Sequence, residues 1–209
     1  MKNTAKMLSE LIDIARGRVP ENLGPARRVR LITGAALSSL VFAALWGLAA
    51  GSTMPLLALG NAAKVPMVVL FSVLAALPAG VLAHRLSDST ESTRSLLLSF
   101  SGSVFAGTLC AAVLAPIVAV YYLTSEWAGP YLGMGSAFVS VAVAGVLFLH
   151  GTFKNVPENQ RRSRMIPKLV LAVVTLGVMP QFIALASPIL PEHTVFNDGV
   201  DIVATEGAH

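Results

Sequence analysis

Charge is scarce in this sequence and cysteine is almost missing. Only 12% of its 209 residues are charged, about half the share found in soluble domains. So thin a supply cannot clothe a water-soluble surface. The single cysteine, Cys110, lies inside an apolar run. It excludes an intrachain disulfide framework and a thiolate metal site, and it reads as a small buried hydrophobe. No Walker loop, HExxH pattern, nucleophile elbow or EF-hand loop occurs. The turn at Asn197, Asp198, Gly199 and Asp201 lacks the later glutamate of a calcium loop. His84 and His150 fall at the ends of apolar runs, and His193 and His209 in the tail. The expectation is a chain with no catalytic residues, no cofactor and no metal.

What is present is long apolar runs. Hydrophobic residues make up 55% of the chain. The hydrocarbon core of a bilayer is about 30 Å thick, so a helix needs about twenty apolar residues to cross it. Five runs qualify: 31–50, 65–83, 96–124, 132–153 and 169–190. Their interiors hold no Asp, Glu, Lys or Arg. Such residues mark ion and proton pathways in transporters, so their scarcity argues against an ion-coupled transporter. The predicted fold is all-α, a polytopic bundle of five transmembrane helices over 31–190. A cytoplasmic basic segment, 1–30, precedes it and an extracytoplasmic tail, 191–209, follows. The first long run begins only at Leu31, after thirty mixed residues, which argues against a secretory signal peptide.

Within the first segment, residues 4–18 have a helical period. Met7, Leu8, Leu11, Ile12, Ile14 and Ala15 share one face, and Lys6, Glu10, Asp13 and Arg16 lie mainly on the other. This predicts an amphipathic helix. Two placements fit it. It lies in the membrane interface with Arg16 and Arg18 near headgroups, or it packs on the protein's own cytoplasmic surface or on a partner.

The basic residues are distributed unevenly. Seven precede the first run: Lys2, Lys6, Arg16, Arg18, Arg27, Arg28 and Arg30. Arg85 and Arg94 fall in the second connection, and Lys154, Arg161, Arg162, Arg164 and Lys168 in the fourth. Lys64 alone falls in the first connection. With five spans, fourteen of the fifteen basic residues share one side. Short loops rich in Lys and Arg stay in the cytoplasm. The N-terminus is therefore expected inside and the C-terminus outside, in a bacterial inner membrane. Orientation explains the pI of 9.6, and no nucleic acid is needed. Arg16, Arg18, Arg27, Arg28, Arg161, Arg162 and Arg164 become the candidate contacts to lipid headgroups or a partner protein.

Pro78, Pro116 and Pro180 fall within spans. Each removes a backbone donor and tends to kink a helix; kinks let helices pack or open a lipid groove. Ser99, Ser103 and Gly107 recur every four residues in the third span. Such small faces bring helices close, within one chain or between copies.

The layout resembles the bacterial branch of the Yip1-like five-span membrane protein family. The residues that carry the likeness are Glu21-Asn22-Leu23-Gly24-Pro25, Lys64-Val65-Pro66, Pro78 and Leu114-Ala115-Pro116-Ile117. The first is similar to a D-L-x-G-P-like stretch of the family but lacks its Asp. The likeness spans residues 20–153. It implies a non-enzymatic role in organising membranes or binding partners, and it transfers no catalytic residues. The leading expectation is a membrane scaffold or membrane-complex subunit that contacts lipids and another protein, or itself, through a basic cytoplasmic face. The rival is a transporter or pore component for a small solute or ion.

Overall fold

The structure, a computed structural model, describes residues 2–16, 18, 23–87, 89, 91–153 and 158–186; of residues 2–6, 151–153 and 159 only the backbone is described. Among the described residues six helices account for the regular structure: α1 Lys2–Ala15, α2 Pro25–Ala50, α3 Pro55–Leu86, α4 Thr93–Thr124, α5 Ala128–Phe153 and α6 Glu158–Ala186. The described residues include no strand. Helices α2 to α6 are each long and apolar enough to cross a membrane. By length and composition the five are compatible with a multi-pass membrane protein.

Local chemistry sets the helix ends. Pro25 and Pro55 occupy the first turns of α2 and α3, where a missing N–H costs nothing. Ser92 caps α4: its side chain accepts from the Ser95 N–H at 3.2 Å. The connections are short, so consecutive helices run antiparallel. The bundle then has two ends. One holds Arg27, Arg28, Arg30, Arg85, Arg94 and Arg161 to Arg164, and is here called the basic end.

The spans differ from the sequence expectation mainly at their starts. Residues 51–64 were expected as one connection, yet α3 begins at Pro55 and the link from α2 is only Gly51–Met54. Lys64 therefore lies ten residues inside a helix. The last span begins at Glu158, so Arg161 to Lys168 belong to α6 and not to a loop. The end expected at residue 190 and the tail 191–209 fall outside the described residues, as does Lys154. Pro66 and Pro78 in α3, Pro116 in α4, and Pro167 and Pro180 in α6 all sit within continuous helices.

The packing order around the bundle is α6, α3, α2, α4, α5. Helix α4 is central, covered by α2, α5 and α1. Helix α3 shows how sequence sets this order. Its buried residues include Gly60, Lys64, Val68, Ser72, Ala76, Gly80 and His84, one every four positions. An α-helix has 3.6 residues per turn, so a strip of period four drifts around the axis. Near its start α3 therefore faces α2, where Gly47 and Gly51 meet Asn61 and Ala58. Near its end it faces α6, where Gly80 meets Leu171.

Helix α1 lies at the basic end. Leu11 and Ile14 are buried against Leu31, Ala35, Leu98 and Phe105. Gly34 receives the Met7 side chain and Gly102 the Ile14 side chain. The apolar face of α1 is thus covered by α2 and α4.

Candidate functional site

Three sites stand out in the apolar bundle. The first is the basic surface. Arg27 donates to the Glu10 carboxylate at 2.5 Å and so ties α2 to α1. Arg18 stands 3.9 Å from Asp13, with both side chains exposed. Arg16 is exposed, and Arg28 is half-buried with its Nε unpartnered among the described residues. On α6, Arg161 and Arg162 are exposed, while Arg164 reaches Gln160 Oε1 at 3.4 Å. The sequence candidates thus fall into two groups at one end, one on α1 and α2 and one on α6.

The second site lies at the opposite end. Trp46 Nε1 donates to Ser136 Oγ at 2.9 Å, and Ser136 donates to the Gly133 carbonyl at 2.7 Å. This chain joins α2 to α5 beside Tyr122 of α4, which is buried in the same cluster. One turn of α3 adds Asn61 and Lys64. Asn61 is fully buried with neither amide atom hydrogen-bonded among the described residues. Lys64 is 2% exposed. The 21 residues from Lys64 to Arg85 span about 31 Å of helix, close to the thickness of the hydrocarbon core. The Trp127 and Tyr131 rings pack at 5.3 Å, tilted 46° to each other, and both are exposed, as in the aromatic belts at membrane boundaries.

The third site is interior. All five long helices line one cavity of about 230 Å³. Ala43 and Trp46 come from α2, Val68 and Ser72 from α3, and Gly107 and Thr108 from α4. Helices α5 and α6 complete it. Five hydroxyls line the wall: Ser72, Ser103, Thr108, Ser140 and Thr175. Four of them donate to carbonyls of their own helix, those of Ser99, Val104, Ser136 and Leu171, at 2.6 to 3.0 Å. Of the five, the Ser72 hydroxyl alone is without a partner among the described residues. A wall with its donors turned inward offers little to water, which needs two to four polar partners. The cavity is therefore apolar in effect.

At the basic end the cavity stops at an aromatic pair, Phe100 and Phe148, whose rings lie 5.3 Å apart. Behind it, Lys168 Nζ sits 5.5 Å from the Phe148 ring centroid. Lys168 is only 4% exposed. It makes no ion pair among the described residues. Glu91 acts on it electrostatically from outside ion-pair range, and its carboxylate accepts a hydrogen bond from Ser95 Oγ at 3.0 Å. In the antiparallel α3–α6 pair, the Gly80–Leu171 contact brings His84 to the same level as Lys168. His84 is buried and its Nδ1 has no hydrogen-bond partner among the described residues.

Of the packing candidates, Ser103 and Gly107 line the cavity, and Gly107 abuts the Ser140 carbonyl and Ala144 of α5. Ser99 supplies the carbonyl that takes the Ser103 hydroxyl. Pro78, Pro116 and Pro180 are exposed on their helices and line no part of the cavity. Sequence reasoning missed Lys168 and Lys64 as buried groups, because both were assigned to connections. The spacing signal was available: Lys64, Val68, Ser72, Ala76, Gly80 and His84 form one four-residue ladder.

No three His, Cys, Asp or Glu side chains converge as a metal-binding group among the described residues. The chain matches no family model, no curated protein and no solved structure.

Proposed function

We propose that this multi-pass protein is a non-enzymatic scaffold or membrane-complex subunit of a bacterial inner membrane, similar in kind to the Yip1-like proteins. In this reading the N-terminus and the basic end face the cytoplasm, and the C-terminus lies outside. The basic end contacts anionic headgroups and another membrane or cytoplasmic protein, or a second copy of the chain. One observation carries the reading. Every arginine of the described residues lies at one end of the bundle, while the opposite end holds only the buried Lys64. Basic residues near an anionic leaflet contribute about 1 kcal/mol each, so two exposed clusters make a strong headgroup and partner surface.

The rival reading, a transporter or pore component, draws on the cavity that all five helices line. Its inward-turned hydroxyls suit an apolar occupant better than a hydrated solute.

The test is mild-detergent co-purification followed by mass spectrometry, with wild type and an Arg161→Gln, Arg162→Gln, Arg164→Gln variant. The variant is expected to recover less partner while keeping its topology. Equal recovery would reduce these arginines to topological signals. Solute or ion flux through liposomes holding only this protein would overturn the scaffold reading.

A further inference from the structure

We infer that the interhelical cavity holds one acyl chain of an anionic phospholipid from the leaflet at the basic end, with the lipid phosphate against Lys168. The inference concerns the interior of the bundle and stands whether or not a partner protein binds the arginines.

The cavity specifies the tail. Four of its five hydroxyls are satisfied within their own helices, so water and ions gain almost nothing by entering. Apolar cavities of about 150 Å³ already take up benzene. This one, at about 230 Å³, has room for a stretch of hydrocarbon chain.

Helices α5 and α6 meet at the basic end, where Phe148 and Leu171 share a cluster. Further along both line the cavity, α5 with Val141 and Gly145, α6 with Leu176 and Met179, and the inferred entrance lies between them. Leu176 is 50% exposed, so its side chain faces both cavity and bilayer. The hydrocarbon available at that opening is lipid.

Lys168 specifies the headgroup. A buried ammonium is costly unless paired, and the Phe148 face supplies only a cation–π contact. No carboxylate of the described residues is within ion-pair distance. Lys168 lies one helical turn from Ala172, the cavity residue of α6 nearest the basic end. Lys168 lies level with His84, and the helix from Lys64 to His84 covers about 30 Å, so Lys168 stands near the boundary of the hydrocarbon core, where phosphates reside. The Nδ1 of His84, without a partner among the described residues, is at the same level.

The test uses the full chain in phosphatidylcholine vesicles containing a trace of phosphatidylglycerol with a diazirine in one acyl chain. A phosphatidylcholine probe of the same chain is the second arm. Photolysis is expected to attach the phosphatidylglycerol probe to residues 141–145 and 176–183. Gly145→Leu fills the cavity at a site where an added Cβ meets nothing within 4 Å. It should lower labelling about tenfold, the factor that excluding two methylenes represents. Lys168→Met keeps the stem over Phe148 and removes the charge. It should lower labelling by phosphatidylglycerol about fivefold, the effect of one basic residue, and leave the phosphatidylcholine probe unchanged. If Lys168→Met does not fold, Gly145→Leu and the two-probe comparison still decide. Labelling that falls on outward residues such as Val173 and Leu185 would overturn the inference. So would labelling unchanged by Gly145→Leu, or equal labelling by the two probes.

Discussion

Gly47 of α2 lies directly against the main chain of α3, where a Cβ would overlap the carbonyl of Asn61. One turn on, a Cβ at Gly51 would stand 2.6 Å from the backbone of Ala58. The two helices therefore meet backbone to backbone. Without a hydrophobic drive between helices in lipid, such close contact is a main source of association.

Gly47→Ala is expected to destabilise the protein by about 1–3 kcal/mol, the usual cost of overpacking against atoms that cannot rotate away. Gly145→Ala is the control. Its Cβ meets nothing, and removing a mid-helix glycine stabilises by roughly 0.5–1 kcal/mol. Thermal unfolding in detergent separates the two. If Gly47→Ala melts at or above the wild-type temperature, the close approach is not as described.

The existence and number of the spans were legible in the sequence, because twenty uncharged residues have few other fates. The starts of α3 and α6 were not. Lys64 and the run Arg161 to Lys168 read as loop because charge ordinarily stays out of hydrocarbon. Here burial in protein overrides that rule: Lys64 lies in the α3 interface and Lys168 over Phe148. The small residues told which faces come close, yet not which helix meets which. Gly34 and Gly102 serve α1, while Gly107 serves α5. The cavity was invisible, since its lining is drawn from five helices and depends on their order.

The Trp46–Ser136 bond joins α2 to α5 across α4. Ser136→Ala leaves the buried indole N–H without that acceptor. Interhelical hydrogen bonds in membrane proteins average about 0.6 kcal/mol and reach about 1.7, so a loss of about 1 kcal/mol is expected. Trp46 emission reports it directly when Trp127, the other and exposed tryptophan, is replaced by Phe. Loss of the bond should shift the Trp46 emission maximum, and an unchanged spectrum would argue that the indole has another partner.

Helix α1 is held by apolar contact more than by charge. The Arg27–Glu10 pair is partly exposed, and exposed pairs contribute about 0.2–1 kcal/mol. Leu11 is 0% exposed within the cluster that joins α1, α2 and α4, and Leu→Ala changes at such sites cost about 2–5 kcal/mol. Glu10→Gln should leave α1 docked, with resistance to limited proteolysis near Arg16 and Arg18 close to wild type. Leu11→Ala should speed cleavage there markedly. Equal protease sensitivity of the two variants would show that the ion pair, not the apolar face, holds the helix.

Orientation follows from which end carries the arginines. In a Cys110→Ala background, Glu126→Cys places a thiol in the exposed turn between α4 and α5, and Glu158→Cys places one at the start of α6. Both replaced residues are acidic, and acidic residues contribute little to topology, so neither change should itself invert the chain. A membrane-impermeant maleimide should label Glu126→Cys in intact cells and Glu158→Cys only after lysis. A cysteine in 197–201, outside the described residues, should behave like Glu126→Cys, because two long helices, α5 and α6, lie between them. The arginine triple variant should give the same pattern, since Arg27, Arg28, Arg30, Arg85 and Arg94 remain at the basic end. Labelling of Glu158→Cys in intact cells would reverse the orientation. It would also move the anionic lipid expected at Lys168 to the opposite leaflet.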